Sequence, residues 1–134
     1  MSLDLRALVY GSLKNDSVLT GFWADRIYQR SSMEYEVPPA QKPFGIYYLD
    51  RENLVLQPSA LKARALTVQV WVHDEPGDYY QVDQILDRAR EVLEAIPQQD
   101  TFLEFRLLFK SPDLYDDLLK TIVRYSRFGA ILAP

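Results

Sequence analysis

The chain has 134 residues, of which 48% are hydrophobic, so one domain with a substantial core is expected and intrinsic disorder is excluded. Fifteen basic and nineteen acidic side chains leave a net charge of −4, which argues against bulk electrostatic attraction to nucleic acid. The sequence contains no cysteine, which excludes disulfides and thiolate chemistry and is typical of proteins made in a reducing cytosol.

We expect neither a secretory signal nor a membrane span. Residues Met1 to Arg6 lack the basic and apolar regions of a signal peptide, and no apolar run approaches the roughly twenty residues that cross a bilayer. The chain is therefore predicted to be a single soluble domain over residues 1–134, with a projecting loop at about residues 29–43.

The first part of the chain is predicted to hold helices, a loop and a strand. Ser2 is a suitable cap for a first helix, and the run from Asn15 to Ser17 breaks it and caps a short second one. Residues 29–43 contain three prolines and exceed the length of an ordinary connection, which favours a functional or mobile loop. Residues 44–49 are predicted to form a strand. The apolar stripe of the first helix consists of Leu5, Leu8, Val9 and Leu13.

The second part begins with a strand over residues 64–73 that alternates with period two and runs into an amphipathic helix. Asp74 to Asp78 form a turn between the two elements. One face of the strand carries Leu66, Val68, Val70 and Val72, and the other carries Thr67, Gln69, Trp71 and His73. The apolar stripe of the helix consists of Tyr79, Val82, Ile85, Leu86, Ala89, Val92, Leu93 and Ile96.

Two further strands are predicted near the end of the chain. Residues 101–109 alternate, residues 110–113 form a turn, and residues 118–128 form the last strand. The order of elements predicts an α+β fold, with a mainly antiparallel sheet and with the long amphipathic helix and the N-terminal helix packed on one face. The apolar face of the alternating strand consists of Leu103, Phe105, Leu107 and Phe109.

The single histidine, His73, is adjacent to acidic residues. Imidazole and carboxylates are suitable ligands for zinc or manganese, so His73, Asp74, Glu75 and Asp78 could form a metal site or an acid–base pair. The other interpretation is a helix start, in which Asp74 and Glu75 supply negative charge and Pro76 occupies the first turn. The known preferences of helix starts favour the second interpretation.

Pro112-Asp113 and the pair Asp116-Asp117, followed by Lys120, form a pattern similar to the acidic core of restriction-type nucleases. That chemistry needs an acidic residue two positions before the lysine, whereas Asp117 lies three before Lys120 and would face the other way on a strand. A turn rich in Asp and Pro is the simpler interpretation. Glycine-rich phosphate loops and nucleophile elbows are absent from the sequence. We therefore predict that the protein is not an enzyme and has no catalytic residue, metal or cofactor.

Large side chains on the second face of the sheet suggest a contact surface. Trp71 lies on the face opposite the valines. A sheet covered by helices on one side is expected to expose its other side to solvent. A small second core beneath the long loop is an equally suitable explanation. Arg124 and Arg127 flank Tyr125, an arrangement that suits base stacking but also ion pairs at an interface. The predicted contact residues are Met33, Tyr35, Val37, Trp71, Arg124, Tyr125, Arg127 and Phe128.

Met33, Tyr35 and Val37 alternate with Glu34 and Glu36 inside the long loop. Alternation without an evident partner strand is typical of an arm that becomes a strand by pairing with another chain. The same segment could instead fold as a hairpin on its own domain.

Several short motifs are distributed over nearly the whole chain. After the N-terminal helix, which ends near Asp16, come ADRIY at residues 24–28, PFGIY at 43–47, RALTVQVW at 64–71, a tyrosine-led helix from Tyr79, LYD at 114–116 and RYS at 124–126. In this order they resemble the tail-terminator (tail-completion, head–tail joining) proteins of long-tailed, non-contractile bacteriophages.

The resemblance implies a structural virion protein of the neck, assembled in the host cytoplasm. Proteins of that family form a ring, usually hexameric, on the end of the tail tube, where they stop tube polymerisation and present a joining surface to the head. The implied partners are further copies of the chain, the major tail-tube protein and the head connector or stopper protein. Genome DNA would pass through the ring without specific binding, and no membrane is involved.

The composition is compatible with that role. Six subunits of net charge −4 would give a ring of about −24, and a negative lumen repels phosphate so that DNA slides through. The alternative function is a small α+β ligand-binding or regulatory module, or another component of the head–tail joint.

Overall fold

The computed structural model describes residues 5–29, 42–50, 64–96 and 103–132. In chain order the elements of these residues are α1 (Leu5–Asn15), α2 (Ser17–Trp23), β1 (Ile27–Gln29), β2 (Phe44–Asp50), β3 (Arg64–Asp74), α3 (Tyr80–Glu94), β4 (Leu103–Lys110), β5 (Leu114–Asp116) and β6 (Thr121–Leu132). None of these helices is long and apolar enough to cross a membrane.

The six strands form one sheet in the order β1-β2-β3-β6-β4, with β5 beside the first residues of β6. Strands β1 and β2 are parallel, and every other pair is antiparallel. Strand β3 is central, because it pairs with β2 from Thr67 to His73 and with β6 along its whole length. The predicted α+β fold with a mainly antiparallel sheet is confirmed.

The core lies between one face of the sheet and the three described helices, as the alternation of β3 predicts. Val68, Val70 and Val72 are all fully buried, and their cross-strand neighbours Phe128 and Tyr47 belong to the same cluster. The helices contribute Val9, Leu13, Leu19, Trp23, Val82, Ile85, Leu86, Ala89 and Leu93. Burying this much apolar surface is the main source of stability in a domain of this size.

Helix α2 is joined to α3 by an ion pair at its cap. Asp16 is the N-cap of α2, and its Oδ2 accepts a hydrogen bond of 3.0 Å from the Leu19 amide. The Arg88 guanidinium on α3 donates to both carboxylate oxygens of Asp16, at 2.7 and 3.0 Å. Hydrogen bonding from Arg88 is the main reason why the pKa of Asp16 is below its ordinary value.

Helix α2 ends against the start of β2. Trp23 is fully buried, and its ring lies over Gly45 so closely that a Cβ added to Gly45 would be 2.5 Å from Cζ3. The Gly45 amide donates a hydrogen bond of 2.9 Å to the Arg26 carbonyl, which fixes the backbone at this point. Only a residue without a side chain fits between the indole ring and the sheet.

Two predicted boundaries near the end of the chain are wrong. The last strand begins at Thr121 rather than residue 118 and continues to Leu132. Its start is delayed because the Asp116 carboxylate accepts hydrogen bonds from the Leu118 and Leu119 amides, which makes a turn of residues 117–120. The short strand β5 lies just before that turn.

Replacing Gly45 by alanine tests the contact with Trp23. Because a rigid indole ring and a hydrogen-bonded strand cannot both move away, we expect Gly45→Ala to lower the free energy of unfolding by about 2 kcal/mol. The matched control is Gly21→Ala within α2, where no atom lies within 4 Å of an added Cβ. That control should raise the free energy of unfolding by about 0.5–1 kcal/mol. Urea unfolding of both variants measures the difference, and equal effects of the two would contradict the packing.

The Asp16–Arg88 pair should make stability depend on acidity. Since the pKa of Asp16 is lowered in the fold from 3.8, its contribution is present at neutral pH and is lost as pH falls through the lowered value. Asp16→Asn keeps a capping oxygen but removes the charge, so it should lower the melting temperature by a few degrees at pH 7. The difference from the wild type should shrink below about pH 4.

Glu94→Gln is the control for this test, because it breaks the more exposed Arg90–Glu94 pair on α3. An exposed pair contributes little, so this variant should melt close to the wild type. A pH-independent difference between wild type and Asp16→Asn would contradict the proposed role of the carboxylate.

Candidate interaction surface

The sheet has a second face, directed away from the helices, that carries several aromatic side chains. The register places successive strands so that Phe44 lies opposite His73 and Trp71 lies opposite Tyr125 on this side. We call this side the aromatic face. Its described residues include Tyr28, Phe44, Ile46, Tyr48, Gln69, Trp71, His73, Phe109, Val123, Tyr125 and Arg127.

The centre of the aromatic face is a stacked pair of rings. The centroids of Trp71 and Tyr125 are 4.2 Å apart and the ring planes differ by 18°. Gln69 Oε1 accepts a hydrogen bond of 3.0 Å from Trp71 Nε1 and a second from the Tyr48 hydroxyl. Stacking and hydrogen bonding hold these rings in one orientation while they remain only half-buried.

Phe44 and His73 form a second stack at one end of this face. Their ring centroids are 4.8 Å apart and their planes differ by 4°. His73 is 4% exposed, and its Nδ1 lies 2.8 Å from Thr121 Oγ1. Burial lowers the pKa of His73 to about 4, so the imidazole is neutral at physiological pH.

The acidic residues after His73 organise the turn that leads into α3. Asp74 accepts hydrogen bonds from the Glu75 amide and from Gln81 Nε2, and Asp78 accepts one from the Tyr80 amide. They make Asp74 and Asp78 turn residues rather than helix caps, because the N-cap of α3 is Tyr79 and makes no side-chain cap hydrogen bond. Pro76 is not in the first turn, because α3 begins at Tyr80. Across the described ranges, no three His, Asp or Glu side chains come together in a way that could hold a metal ion.

The Asp117–Lys120 segment forms the tip of a hairpin between β5 and β6. Asp116, rather than Asp117, organises this tip, since its Oδ1 accepts hydrogen bonds of 2.9 Å from two amides. Lys120 has a positive φ of 58°, a conformation that few side chains adopt outside turns. Asp117 and Lys120 are both exposed. The tip therefore has the geometry of the predicted turn.

The structure separates the two arginines that flank Tyr125. The Arg124 side chain lies on the helix side, where it contacts Asp83 on α3 and donates to the Ser111 carbonyl at 2.9 and 3.1 Å. Arg127 lies on the aromatic face, with its guanidinium carbon 5.7 Å from the Phe109 ring centroid. Arg124 therefore joins elements of one subunit, whereas Arg127 belongs to the surface.

Arg127 also carries an unused donor. Its Nε is buried and makes no hydrogen bond within the described part of the chain. A buried donor without a partner costs free energy unless another group reaches it.

Phe128 is fully buried in the core, so it supports the sheet and offers no surface to a partner. Its place follows from the period of the strand, because Phe128 is an even number of positions from Ile122 and an odd number from Tyr125. The remaining predicted contact residues, Met33, Tyr35 and Val37, lie outside the described residues, as does most of the predicted loop.

Phe109 is a member of the aromatic face that the alternation assigned to the core. The register shifts between Leu107, which lies opposite Phe128, and Phe109, which lies opposite Arg127. This irregularity carries Phe109 to the outer side, where its ring centroid is 5.9 Å from that of Tyr125. Three consecutive apolar residues, Leu107 to Phe109, are the signal in the sequence, because strict alternation does not produce such a run.

No protein-family model matches the chain, and no curated protein matches it.

Titration of His73 tests the description of its surroundings. Because the folded pKa of about 4 is below the ordinary 6.5, the unfolded chain binds the proton more readily. Stability should therefore fall as pH drops from about 6.5 to 4, by roughly 3 kcal/mol in all. NMR can follow the titration directly, since the chain has one histidine. In His73→Phe, which can keep the stack, the unfolding free energy should lose this part of its pH dependence. A titration midpoint near 6.5 would contradict the burial.

Proposed function

We propose that this protein is a tail terminator of a long-tailed bacteriophage, a structural protein that caps the tail tube as a ring. The observation that carries the proposal is the aromatic face, where Trp71, Tyr125 and Arg127 are held in fixed positions and remain partly accessible. Part of this face is covered, since Phe44, His73 and Val123 are at most 4% exposed, but its half-buried part does not carry mainly the polar side chains that ordinarily face water. Aromatic and arginine side chains are instead the residues enriched where proteins contact one another.

The order of sequence motifs supplies the identity of the proposed partner. Two of the motifs lie at structurally demanding positions: PFGIY contains Gly45, which Trp23 covers, and RALTVQVW is the central strand β3. Similarity to the tail-terminator family at positions that the fold constrains is stronger support for a shared fold than similarity at exposed positions. This supports the proposal of a fold and a role shared with tail terminators.

A ring of identical subunits requires a heterologous contact, in which two different surfaces of each subunit meet. The proposed hexamer would stack on the major tail-tube protein at one end and receive the head connector or stopper protein at the other. Its net charge of about −24, from six subunits of −4, would keep DNA from adhering to the channel. The segment around Met33, Tyr35 and Val37 is proposed to act as the arm that pairs with a neighbour or with the tube.

The competing proposal is a small ligand-binding or regulatory α+β module, or a different component of the head–tail joint. The two classes differ in their assembly. A regulatory module should remain a monomer or dimer in the presence of tail tubes, whereas a terminator should bind only at tube ends.

Polymerisation of the major tail-tube protein of the same virion tests the proposal. Added to growing tubes, the protein should bind their ends and stop elongation, so that electron micrographs show shorter tubes of narrower length distribution. Trp71→Ala should reduce capping by at least about tenfold, as expected for an aromatic contact residue. Val18→Ala, at an exposed apolar site on α2, should cap normally. Tubes that grow equally long with and without the wild-type protein would overturn the proposal.

A further inference from the structure

Apart from Val18 on α2, the exposed large apolar side chains of the described residues fall into two groups beside the sheet edge formed by β4 and β5. Leu108 and Phe109 are 54% and 42% exposed and lie on the aromatic face; we call them the bulge patch. Tyr80, Tyr115 and Leu118 are 69%, 49% and 93% exposed and lie towards the end of the molecule where α3 begins; we call them the tip patch. Exposed clusters of this kind are typical of contact surfaces.

The tip patch is held in position despite its exposure. The Tyr79 hydroxyl donates a hydrogen bond of 2.7 Å to the Leu114 carbonyl, which joins the start of α3 to β5. Asp116 fixes the Leu118 and Leu119 amides at 2.9 Å. An apolar side chain presented by an ordered turn loses little conformational freedom when a partner covers it.

The bulge patch is likewise supported from beneath. Leu108 lies over Gly129, where an added Cβ would be 3.2 Å from Leu108 Cδ1. Leu108 therefore occupies the space that a side chain at Gly129 would need. Phe109 lies between the Tyr125 ring, at 5.9 Å, and the Arg127 guanidinium, at 5.7 Å.

The charges near the two patches have opposite signs. Near the tip patch, five aspartates (Asp78, Asp83, Asp113, Asp116 and Asp117) outnumber Lys120 and Arg124, of which Arg124 is paired with Asp83 and Asp113, so the net charge is −3. Around the bulge patch, the described charged side chains on the aromatic face are Arg106 and Arg127. A surface with negative rim charges and one with positive rim charges are complementary.

The two patches face in different directions. Phe109 lies opposite Arg127 on the aromatic face, whereas Tyr115 lies opposite Ile122, which packs into the core on the helix side. The five-residue separation of Arg127 and Ile122 along β6 corresponds to about 17 Å. A subunit can therefore offer one patch to each of two neighbours.

We propose that the tip patch of one copy of this chain docks on the bulge patch of the next copy, in a head-to-tail contact. The partner is a second copy because both patches occur on the same chain, at separate places. The charged residues around one patch are opposite in sign to those around the other. This inference rests on the proposed ring function and names the surfaces by which the ring would close. Such a contact is heterologous and propagates around a ring.

Two substitutions at exposed sites test the contact without disturbing the core. Leu118→Asp places a charge in the tip patch, and Leu108→Asp places a charge in the bulge patch. Each variant alone should therefore be monomeric under conditions in which the wild type assembles. Association should weaken by at least about tenfold, the effect of losing a central contact residue. Val18→Asp is the matched control at an exposed apolar site of α2, and it should assemble like the wild type.

Mixing the two variants gives the sharper result. Leu118→Asp retains its bulge patch and Leu108→Asp retains its tip, so an equimolar mixture should form one-to-one dimers and nothing larger. Sedimentation velocity distinguishes these species, and circular dichroism checks that both variants are folded. Assembly of the wild type should also weaken as salt rises towards about 0.5 M, because the rim charges are screened.

The outcomes separate this inference from the proposed function. The proposed contact is overturned if either variant assembles as well as the wild type. It is also overturned if the mixture of variants stays monomeric while the wild type assembles. Neither result contradicts the proposed ring. A wild type that is monomeric alone and on tube ends overturns both.

Discussion

The period-two alternation of β3 is the constraint on which the rest of the structure depends. Because β3 pairs with β2 on one side and with β6 along its whole length on the other, it fixes which side of each neighbouring strand meets the helices. Val68, Val70 and Val72 direct one face into the core. The opposite residues, Gln69, Trp71 and His73, must then lie on the second face, and the register brings their neighbours Tyr125 and Phe44 there too.

The second face consequently combines rigidity with access. The Trp71–Tyr125 stack and the hydrogen bonds to Gln69 hold rings that are only half-buried. Among the described residues, the buried Nε of Arg127 has no hydrogen-bond partner. Side chains that are already ordered lose less entropy on binding than mobile ones. A protein whose proposed task is to assemble once, at a defined place, is well served by surfaces prepared in this way.

Much of this architecture can be predicted from the sequence, because its strongest signals are periodic. The apolar face of β3 and the stripe of α3 lie as the spacing of their residues predicts, and the helices pack on one side of the sheet. Local hydrogen bonds decide the places where prediction fails. Leu118 and Leu119 suggest a strand, but the Asp116 carboxylate captures their amides and forms a turn. The irregularity after Leu107 likewise moves Phe109 to the outer face.

The candidate surface was less predictable than the fold, because it depends on which strands become neighbours. Trp71 and Tyr125 are 54 residues apart in the chain, and only the pairing of β3 with β6 brings their rings together. The exposed residues of the tip had no periodic signal, since β5 is three residues long. The period of β6 alone, by contrast, is sufficient to separate Arg124 from Arg127 and to place Phe128 in the core.

We propose that the aromatic face and the sheet edge beside it are contact surfaces of a head-to-tail ring. Electron cryomicroscopy of the protein mixed with tubes of the proposed tail-tube partner tests this ring most directly. The account predicts a closed ring in which Leu118 of each subunit is covered by the next and the Trp71 and Tyr125 rings lose their exposure. A two-fold symmetric dimer, or a ring in which these side chains all remain exposed to solvent, would contradict it.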